Sequence, residues 1–212
     1  MRLYAFYRSS ASYRVRLGLA HKDIAHELVP IALMAGEQRA PEHRARNPIG
    51  QVPVLELLGG EEPVLLAQSV AILEYLEEVF PEPALLPREP IARARVRELV
   101  ELVNSGIQPL QNLSVLLHVS SLGADAQAWA RHFVLNGLLA LEQRAHTTRG
   151  AFLFGDQPTL ADVCLVPQMF NARLLGLPLD DLSSLVEIDA RCQALPRWSD
   201  AHPSAQPDAP PS

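Results

Sequence analysis

The sequence predicts an α/β N-terminal domain followed by an all-α, helical-bundle C-terminal domain. In the first part, short apolar segments alternate with helix-compatible ones in a βαβα order, and two further strands and a helix follow. Residues 81–90 then interrupt the pattern with several prolines and have the composition of a stiff linker. Beyond it, apolar residues recur at helical spacing. We therefore place the domains at residues 1–82 and 88–212, with the boundary near residue 85.

The first four predicted elements form an α/β unit. Strands are expected at Leu3–Tyr7 and Glu27–Ile31, a helix at Ser12–Lys22, and a polar helix-compatible stretch at Glu37–Arg46. Two more strands, Pro53 to Leu57 and Val64 to Leu66, are separated by a Gly-Gly pair that is typical of a hairpin connection, so they are expected to pair antiparallel.

A helix with an apolar face follows these strands. Ser69 is expected to be its N-cap, because serine side chains accept hydrogen bonds from the first backbone N–H groups of a helix. The apolar positions between Ile72 and Phe80 have helical spacing, and the helix is expected to stop at Pro81.

The C-terminal part reads as a helical bundle. Apolar residues mark one long helix through Val96 to Leu110 and another through Ala130 to Leu141. The sequence Thr159-Leu160-Ala161-Asp162 matches a capping signal that opens a helix apolar on nearly all sides, which is therefore expected to be central. The proline-rich tail from Ala201 is predicted to be poorly ordered.

Composition limits the classes of function. Of 212 residues, 48% are hydrophobic and 20% charged, which is typical of a soluble globular protein, and the net charge of −6 argues against general nucleic-acid binding. No segment has the apolar length to span a bilayer, and the N-terminus lacks a secretory signal, so a cytoplasmic protein without membrane attachment is expected. Cys164 and Cys192 have no CxxC spacing and are expected to be packing residues, and the seven histidines include no HxxxH pair, so no metal site is expected.

The segment Arg8–Arg16 has the features of an anion site. Hydroxyl residues gather where a strand leads into a helix, and the first N–H groups of a helix lack intrahelical partners and carry the positive end of its dipole. Arg8, Arg14 and Arg16 add a local basic patch on an acidic protein, which points to a small anionic ligand. A thiolate qualifies as well as a phosphate.

The Val52-Pro53 bond has two possible forms. A trans proline at a strand start is the more common case, since only about 5–6% of X–Pro bonds are cis. The βαβα–ββα order favours cis, because it resembles thioredoxin-like domains, whose ligand-facing loop carries a cis-proline. The sequence leaves both open.

At the next strand-to-helix junction, Gln68 offers amide donors and an acceptor, and the N–H groups beside Ser69 are suited to a ligand carboxylate.

Several segments in the right order give the chain a resemblance that covers nearly its whole length. The sequence resembles the zeta-class glutathione transferases of the maleylacetoacetate isomerase type. The matching segments are residues 8–17, Asn47-Pro48-Ile49-Gly50-Gln51-Val52-Pro53, Gln68-Ser69 with residues 71–78, residues 107–116, and Ala161-Asp162 with residues 165–168.

The resemblance implies a glutathione transferase fold with a thioredoxin-like N-terminal domain, a glutathione site in that domain, a substrate site between the domains, and a homodimer. Ser9 is expected to hydrogen-bond the glutathione sulfur, and Ser9, Ser10 and Arg8 are the expected catalytic residues. The expected glutathione-binding residues are Ser9, Ser10, Ala11, Ser12, Tyr13, Arg14, Gln38, Val52, Pro53, Gln68, Ser69, Gln108, Asn112, Leu113 and Ser114.

Two positions depart from the family pattern. Ala11 stands where the family usually has cysteine, which affects side activities such as haloacid turnover, whereas isomerisation should survive its loss. Leu174 stands where relatives carry an arginine that meets a substrate carboxylate, and Arg173 is its neighbour. One residue's offset rotates a helical side chain by about 100°. Arg8 and Arg173 are thus both candidates for the substrate carboxylate, and Arg8 is the better one.

The resemblance predicts a glutathione-dependent cis–trans isomerase of a small dicarboxylate enedione, most directly maleylacetoacetate in tyrosine and phenylalanine catabolism. One alternative keeps the site and changes the reaction, to a maleylpyruvate isomerase or a transferase acting on haloacids. A second is a non-catalytic glutathione-binding or dimerisation module. The helix beginning at Arg93 and the helix beginning at Ser69 are candidates for a dimer interface, although their apolar faces are equally explained as domain core.

Overall fold

The computed structural model describes residues 1–60 and 62–210. The chain divides into two units, one formed by Met1–Pro83 with the segment that begins at Leu195, the other by Ala84–Ala194. The sequence assigned all of residues 88–212 to the helical domain. In the structure, the residues from Leu195 onward pack with the N-terminal unit instead.

The first unit is built on a four-stranded sheet. The strands and helices of this unit are β1 (Arg2–Ala5), α1 (Ser10–His21), β2 (Glu27–Pro30), α2 (Pro41–Arg46), β3 (Val54–Leu57), β4 (Val64–Ala67) and α3 (Ser69–Val79). The strand order is β2-β1-β3-β4. The β1–β2 pair is parallel, and the β1–β3 and β3–β4 pairs are antiparallel, as predicted for the hairpin.

Alternating side chains give the sheet two apolar faces. Leu3 and Leu55 pack on one face against Val15 and Leu19 of α1 and Ile72 of α3. The other face carries a smaller cluster, made of Tyr4, Ile31, Val52 and Val54. The second cluster includes the residue before Pro53, so the loop leading into β3 is fixed by core packing.

The second unit is helical. Its helices are α4 (Pro90–Asn104), α5 (Leu113–Ser121), α6 (Ala126–Thr148), α7 (Leu160–Leu174) and α8 (Ser183–Gln193). Every residue of α7 from Leu160 to Met169 is buried, which confirms the prediction of a central helix. The apolar face of α4 is buried within the chain, so core packing accounts for it. Its residues are Val96, Leu99, Val100 and Val103.

The predicted long helix from Val96 to Leu110 is wrong at its C-terminal end. The helix α4 ends at Asn104, and a separate 3₁₀ turn follows at Gln108–Gln111. A Cβ on Gly106 would lie 2.5 Å from the carbonyl oxygen of Leu102, and Pro109 has no N–H with which to continue a helical ladder. The break therefore has a local cause in the sequence.

The predicted capping box opens α7. Asp162 is fully buried, and its Oδ2 accepts hydrogen bonds from the backbone N–H of Thr159 at 2.8 Å and the hydroxyl of Thr159 at 2.9 Å. Its Oδ1 accepts from the N–H of Leu153 at 2.8 Å. Burial raises the pKa of Asp162 to about 6, because desolvation outweighs these hydrogen bonds to the ionised form.

This raised pKa predicts a pH dependence of stability. The folded state holds the Asp162 proton more tightly than the unfolded chain, whose carboxyl titrates near its ordinary value of 3.8. The free energy of unfolding should therefore fall as the pH rises from about 4 to about 6. The expected decrease is roughly 3 kcal/mol, at about 1.4 kcal/mol per pKa unit. Urea unfolding of the wild type and of Asp162→Asn, which cannot titrate at this site, measures the difference. A difference that stays constant across this pH range would contradict the prediction.

The prediction of a poorly ordered tail is wrong for the part that the structure describes. The chain forms 3₁₀ turns at Ser199–Ala201 and Pro203–Ala205. Trp198 is 2% exposed and Ala201 3% exposed. Proline and small residues are compatible with such tight turns, and the aromatic ring of Trp198 supplies the apolar area that anchors them.

Both cysteines are buried thiols outside any disulfide, which agrees with the prediction that they are packing residues. Burial, with nearby carboxylates, raises the pKa of the Cys192 thiol, so it has little thiolate character. Across residues 1–60 and 62–210, no cluster of three or more histidine, cysteine or acidic side chains could bind a metal ion. In the same residues, no helix combines the length and the apolarity required to cross a membrane.

Candidate active site

Ser9 lies at the junction between β1 and α1. The helix begins at Ser10, two residues earlier than the sequence predicted, so Ser9 is its N-cap. Its Oγ accepts a hydrogen bond from the backbone N–H of Ser12 at 3.2 Å. A hydroxyl that accepts through one lone pair keeps its proton and a second lone pair. Ser9 is therefore able to donate to an anion while it caps the helix.

The backbone beside Ser9 adds further donors. The first hydrogen bond of the helical ladder runs from Tyr13 N–H to Ser9 C=O at 2.8 Å. The N–H groups of Ser10 and Ala11 precede that bond and have no acceptor within the helix. They lie at the positive end of the α1 dipole and suit a negative charge. The side chains of Ser12 and Tyr13 are buried, so they build this turn from the inside.

The arginines do not form the surface patch that the sequence suggested. Arg14 is buried and donates to Ser69 Oγ at 3.4 Å. Arg16 is 2% exposed and donates to backbone carbonyl groups, and burial lowers the pKa of its guanidinium to about 10. Arg8 is exposed. The expectation of a basic patch is thus wrong for Arg14 and Arg16, and Arg8 alone among the three lies on the surface.

The Val52-Pro53 bond is cis, which settles the form that the sequence left open. The preceding carbonyl, of Gln51, accepts from His43 Nε2 and from Asn47 Nδ2, both at 2.9 Å. Because a carbonyl only accepts, His43 carries a proton on Nε2. Two side chains therefore hold the loop that presents the backbone of Val52. The sequence analysis did not assign His43 a role in this loop. The nearby Asn47-Pro48 motif was the available signal that side chains hold the loop before Val52.

Gln38 lies in a 3₁₀ turn at Glu37–Arg39 and is 8% exposed. Its Oε1 is buried and has no hydrogen-bond partner among the described residues. Burying such an acceptor without a partner costs about 1–3 kcal/mol. A ligand N–H would remove that cost, so Gln38 is a strong candidate for a ligand contact in this unit.

Gln68, and not Ser69, is the N-cap of α3, so the predicted capping role of Ser69 is wrong. Ser69 is the first helical residue, and its Oγ instead accepts from Arg14. Gln68 has φ 73 and ψ 115, and no side-chain hydrogen bond caps the helix. A positive φ at a non-glycine residue costs about 1–3 kcal/mol and persists where a ligand site requires it. The first ladder bond of α3 is donated by Ile72, so the N–H groups before it suit an anion.

The remaining predicted residues of the glutathione site lie in the second unit. Gln108 is in the 3₁₀ turn at Gln108–Gln111, and Asn112 is the N-cap of α5, with no side-chain capping bond. Leu113, in the first turn of α5, is 37% exposed. Ser114 is also exposed.

A buried amide cluster supports this turn and was missed by sequence reasoning. Gln111 is 8% exposed and Gln168 fully buried, and Gln111 Nε2 donates to Gln168 Oε1 at 2.8 Å. Asn171 Nδ2 donates to Gln111 Oε1, and Gln111 Nε2 lies 3.5 Å from Gln108 Oε1. The signal was an amide residue, Gln168, within the continuously buried stretch of α7 from Leu160 to Met169.

Arg173 is already paired. Its Nη2 lies 2.6 Å from Oδ2 of Asp189, which is fully buried, while the Arg173 side chain is 40% exposed. Removing the partner of a buried carboxylate is strongly destabilising. Arg173 therefore has a structural task, and Leu174 beside it is 54% exposed.

These features together define a class of protein: a thioredoxin-like sheet with a cis-proline before β3 and a serine N-cap after β1, joined in one chain to a helical unit. The family models for the glutathione S-transferase N-terminal domain and C-terminal domain match residues 1–78 and 126–201. The chain belongs to the glutathione S-transferase family.

Relatives that match over nearly their full length show which members of the family this chain resembles. The maleylacetoacetate isomerase of Anaeromyxobacter dehalogenans 2CP-1, with glutathione bound in its active site, is 51% identical, covers 99% of this chain and 97% of its own, and superposes with a TM-score of 0.91. The probable maleylacetoacetate isomerase 2 of Drosophila melanogaster is 44% identical over 99% of this chain and 90% of its own. A bacterial zeta-class maleyl pyruvate isomerase is 38% identical over 99% of this chain and 100% of its own, with a TM-score of 0.93. The resemblance seen in the sequence is confirmed.

Proposed function

We propose that this protein is a glutathione-dependent cis–trans isomerase that converts maleylacetoacetate to fumarylacetoacetate in tyrosine and phenylalanine catabolism. The observation that carries the proposal is full-length similarity to maleylacetoacetate isomerases, one of which holds glutathione in its active site. The geometry of the first unit agrees, because it offers one anion site at the start of α1 and another at the start of α3.

The described residues fit glutathione, a tripeptide with one thiol, two amide links and terminal carboxylates. Ser9 and the start of α1 suit its thiolate. The unpaired Oε1 of Gln38 suits an amide N–H, and the fixed backbone of Val52 suits the peptide. Gln68 and the start of α3 suit the γ-glutamyl carboxylate.

When bound, glutathione supplies a thiolate that adds to the substrate C=C bond and leaves again after rotation, so glutathione is not consumed. Ser9 donates a hydrogen bond that favours the ionised sulfur, and the N–H groups of Ser10 and Ala11 act in the same direction. Ala11 brings no sulfur of its own to this turn. Arg8, exposed beside Ser9, is the proposed partner of a substrate carboxylate.

Turnover of two substrates tests this proposal. The purified protein with glutathione is incubated separately with maleylacetoacetate and with maleylpyruvate, and conversion of the cis to the trans isomer is followed by proton NMR. We expect the larger kcat/KM for maleylacetoacetate. The 38% identity to a maleyl pyruvate isomerase favours that enzyme as the second candidate, and preference for maleylpyruvate would select it. Turnover of neither would reject both and leave a haloacid transferase or a non-catalytic module.

Recognition of the substrate carboxylate is expected to depend on Arg8. The variant Arg8→Gln should raise KM for the dicarboxylate about 10-fold or more, because it removes a charge-assisted hydrogen bond. The matched variant Arg173→Gln should leave that KM close to wild type and instead lower the free energy of unfolding, because the buried Asp189 carboxylate loses the Arg173 guanidinium. Steady-state kinetics and urea unfolding measure the two effects. The opposite pattern would assign the carboxylate to Arg173.

We further propose a cytoplasmic homodimer. The strand β4 lies at an edge of the sheet, and its Val64 is 54% exposed and its Leu65 37% exposed. Edge strands with exposed apolar residues commonly pair with or pack against another chain. Light scattering on the eluting protein is expected to give about twice the mass of one chain, and a single-chain mass would reject the dimer.

A further inference from the structure

The turn between β1 and α1, residues 6–9, carries both Arg8 and Ser9. The strand ends at Ala5, so this turn lies outside the strand ladder. Within it, the N–H of Ser9 donates to the carbonyl of Phe6 at 3.0 Å. The N–H of Phe6 is held from the helix side by Ser12 Oγ at 3.4 Å. Tyr7 and Arg8 lie between the two ends of this turn, and the backbone N–H and C=O of Tyr7 need partners from elsewhere.

Arg16 supplies one of those partners. Its Nη2 donates to the Tyr7 carbonyl at 2.9 Å, and its Nη1 reaches the Phe6 carbonyl at 3.4 Å. Its Nε donates to the carbonyl of Ala201 at 3.0 Å. One buried guanidinium therefore connects the turn before Ser9 to the C-terminal segment of the same unit.

Asp208 supplies the other. The N–H of Tyr7 donates to Asp208 Oδ2 at 2.9 Å, across 201 positions of sequence. Asp208 Oδ1 is buried too, and the carboxylate favours the charged form of Arg16. The segment itself is folded back by Gln206, whose Nε2 donates to the carbonyls of Asp200 at 2.8 Å and His202 at 3.0 Å. Both polar groups of the Tyr7 backbone are thus held, one by Arg16 and one by the tail.

We infer that Asp208 is a positioning residue for the reaction: by fixing the Tyr7 N–H it holds the turn that aims the Ser9 hydroxyl and the Arg8 side chain. This inference rests on the proposed role of Ser9 at the thiolate. A hydrogen bond to a developing or stored charge loses much of its effect when its donor moves by about 1 Å. Asp208 lies beyond the C-terminal family model, which ends at residue 201, and it acts on the turn of the first unit through the Tyr7 N–H.

Three substitutions separate position from charge. Asp208→Ala removes the acceptor, Asp208→Asn keeps an acceptor oxygen in the same place without the charge, and Asp208→Glu keeps the charge and displaces the acceptor by one methylene. The control is Asp200→Ala, which removes an exposed carboxylate from the same segment. If Asp208→Ala yields no folded protein, the comparison of Asp208→Glu with Asp208→Asn carries the test.

We expect kcat of Asp208→Asn and of Asp200→Ala to be close to that of wild type. We expect Asp208→Glu to have a lower kcat, and Asp208→Ala the lowest. The last should be lower than wild type by about 10-fold or more, as for a small displacement of a catalytic group. The pKa of bound glutathione thiol, followed by thiolate ultraviolet absorbance, should rise in Asp208→Ala, whereas KM for glutathione should change less than kcat. A purely structural role would lower the melting temperature and leave the thiol pKa unchanged.

Two results would overturn the inference. One is an Asp208→Ala protein with wild-type kcat and wild-type thiol pKa. The other is Asp208→Glu as active as wild type with Asp208→Asn impaired, which would mean that Asp208 serves only as the counter-charge of Arg16. Failure of the proposed function is distinct from both, because it would appear as unchanged turnover in Ser9→Ala or as no isomerase activity in the wild type.

Discussion

Replacement of Ser9 by alanine is expected to lower kcat about 10²–10³-fold, the range observed when one preorganised donor to a developing anion is removed. The Ser9 hydroxyl is the side-chain donor at the N-cap of α1, where it already accepts from the Ser12 N–H and has its proton available. KM for glutathione is expected to change little, because the contacts proposed for the peptide come from other groups, among them Gln38 and the start of α3.

The loss of the N-cap must be separated from the loss of the hydroxyl. An alanine at an N-cap costs about 0.5–2 kcal/mol of stability, whereas a glycine costs only a few tenths. Ser9→Gly should therefore be as slow as Ser9→Ala and nearly as stable as wild type, and Ser9→Thr should recover much of kcat. Steady-state kinetics, melting temperature and thiolate absorbance measure these effects. If kcat in Ser9→Ala and Ser9→Gly equals that of wild type, Ser9 does not activate the thiol.

Local patterns predicted the order of the elements well, because each is encoded within a few residues. A short apolar run placed β1 to within two residues, and the spacing of Thr159 and Asp162 placed the start of α7. The serine-rich turn was predicted to be a helix start, and the helix does begin there, two residues earlier than predicted and with Ser9 as its N-cap.

Long-range contacts account for most of what the sequence did not predict. Arg16 was expected in a surface patch because its side chain is charged. It is buried instead, because Ala201 and Tyr7 offer it carbonyl oxygens. The tail has the composition of a disordered segment, yet its Asp208 accepts a hydrogen bond from the Tyr7 N–H across 201 positions of sequence. Ser69 has the identity of an N-cap, yet the backbone of Gln68 takes that place at positive φ. In each case the deciding partner is distant in sequence or is a backbone angle that no local pattern encodes.

Lys22 gives the largest expected effect on stability within the first unit. Its side chain is fully buried, and its Nζ contacts Glu77 Oε2 at 2.7 Å and donates to the carbonyls of Phe80 at 2.6 Å and Pro83 at 3.0 Å. The end of α3 and the residues after it are therefore held by one ammonium group, which also lies favourably at the negative end of the helix dipole.

Lys22→Met is expected to lower the free energy of unfolding by about 3–5 kcal/mol, because the buried Glu77 carboxylate loses the Lys22 ammonium and two carbonyls lose a donor. Replacing both members, Lys22→Met with Glu77→Leu, should cost clearly less than the sum of the two single variants, since both charges of the pair are then removed together. Urea unfolding followed by circular dichroism measures each free energy.

The matched control is the exposed ion pair of Arg197 with Asp23 in the same unit, whose side chains are 53% and 72% exposed. Arg197→Met should cost about 0–1 kcal/mol, the range typical of exposed pairs. A cost for Lys22→Met no larger than that of this control would show that the ammonium is not required to hold α3. If the free-energy costs of the two single variants add up to the cost of the double variant, the two buried groups do not depend on each other. The prediction requires the opposite, because it attributes the cost of each single variant to removing one charge of the pair while the other stays.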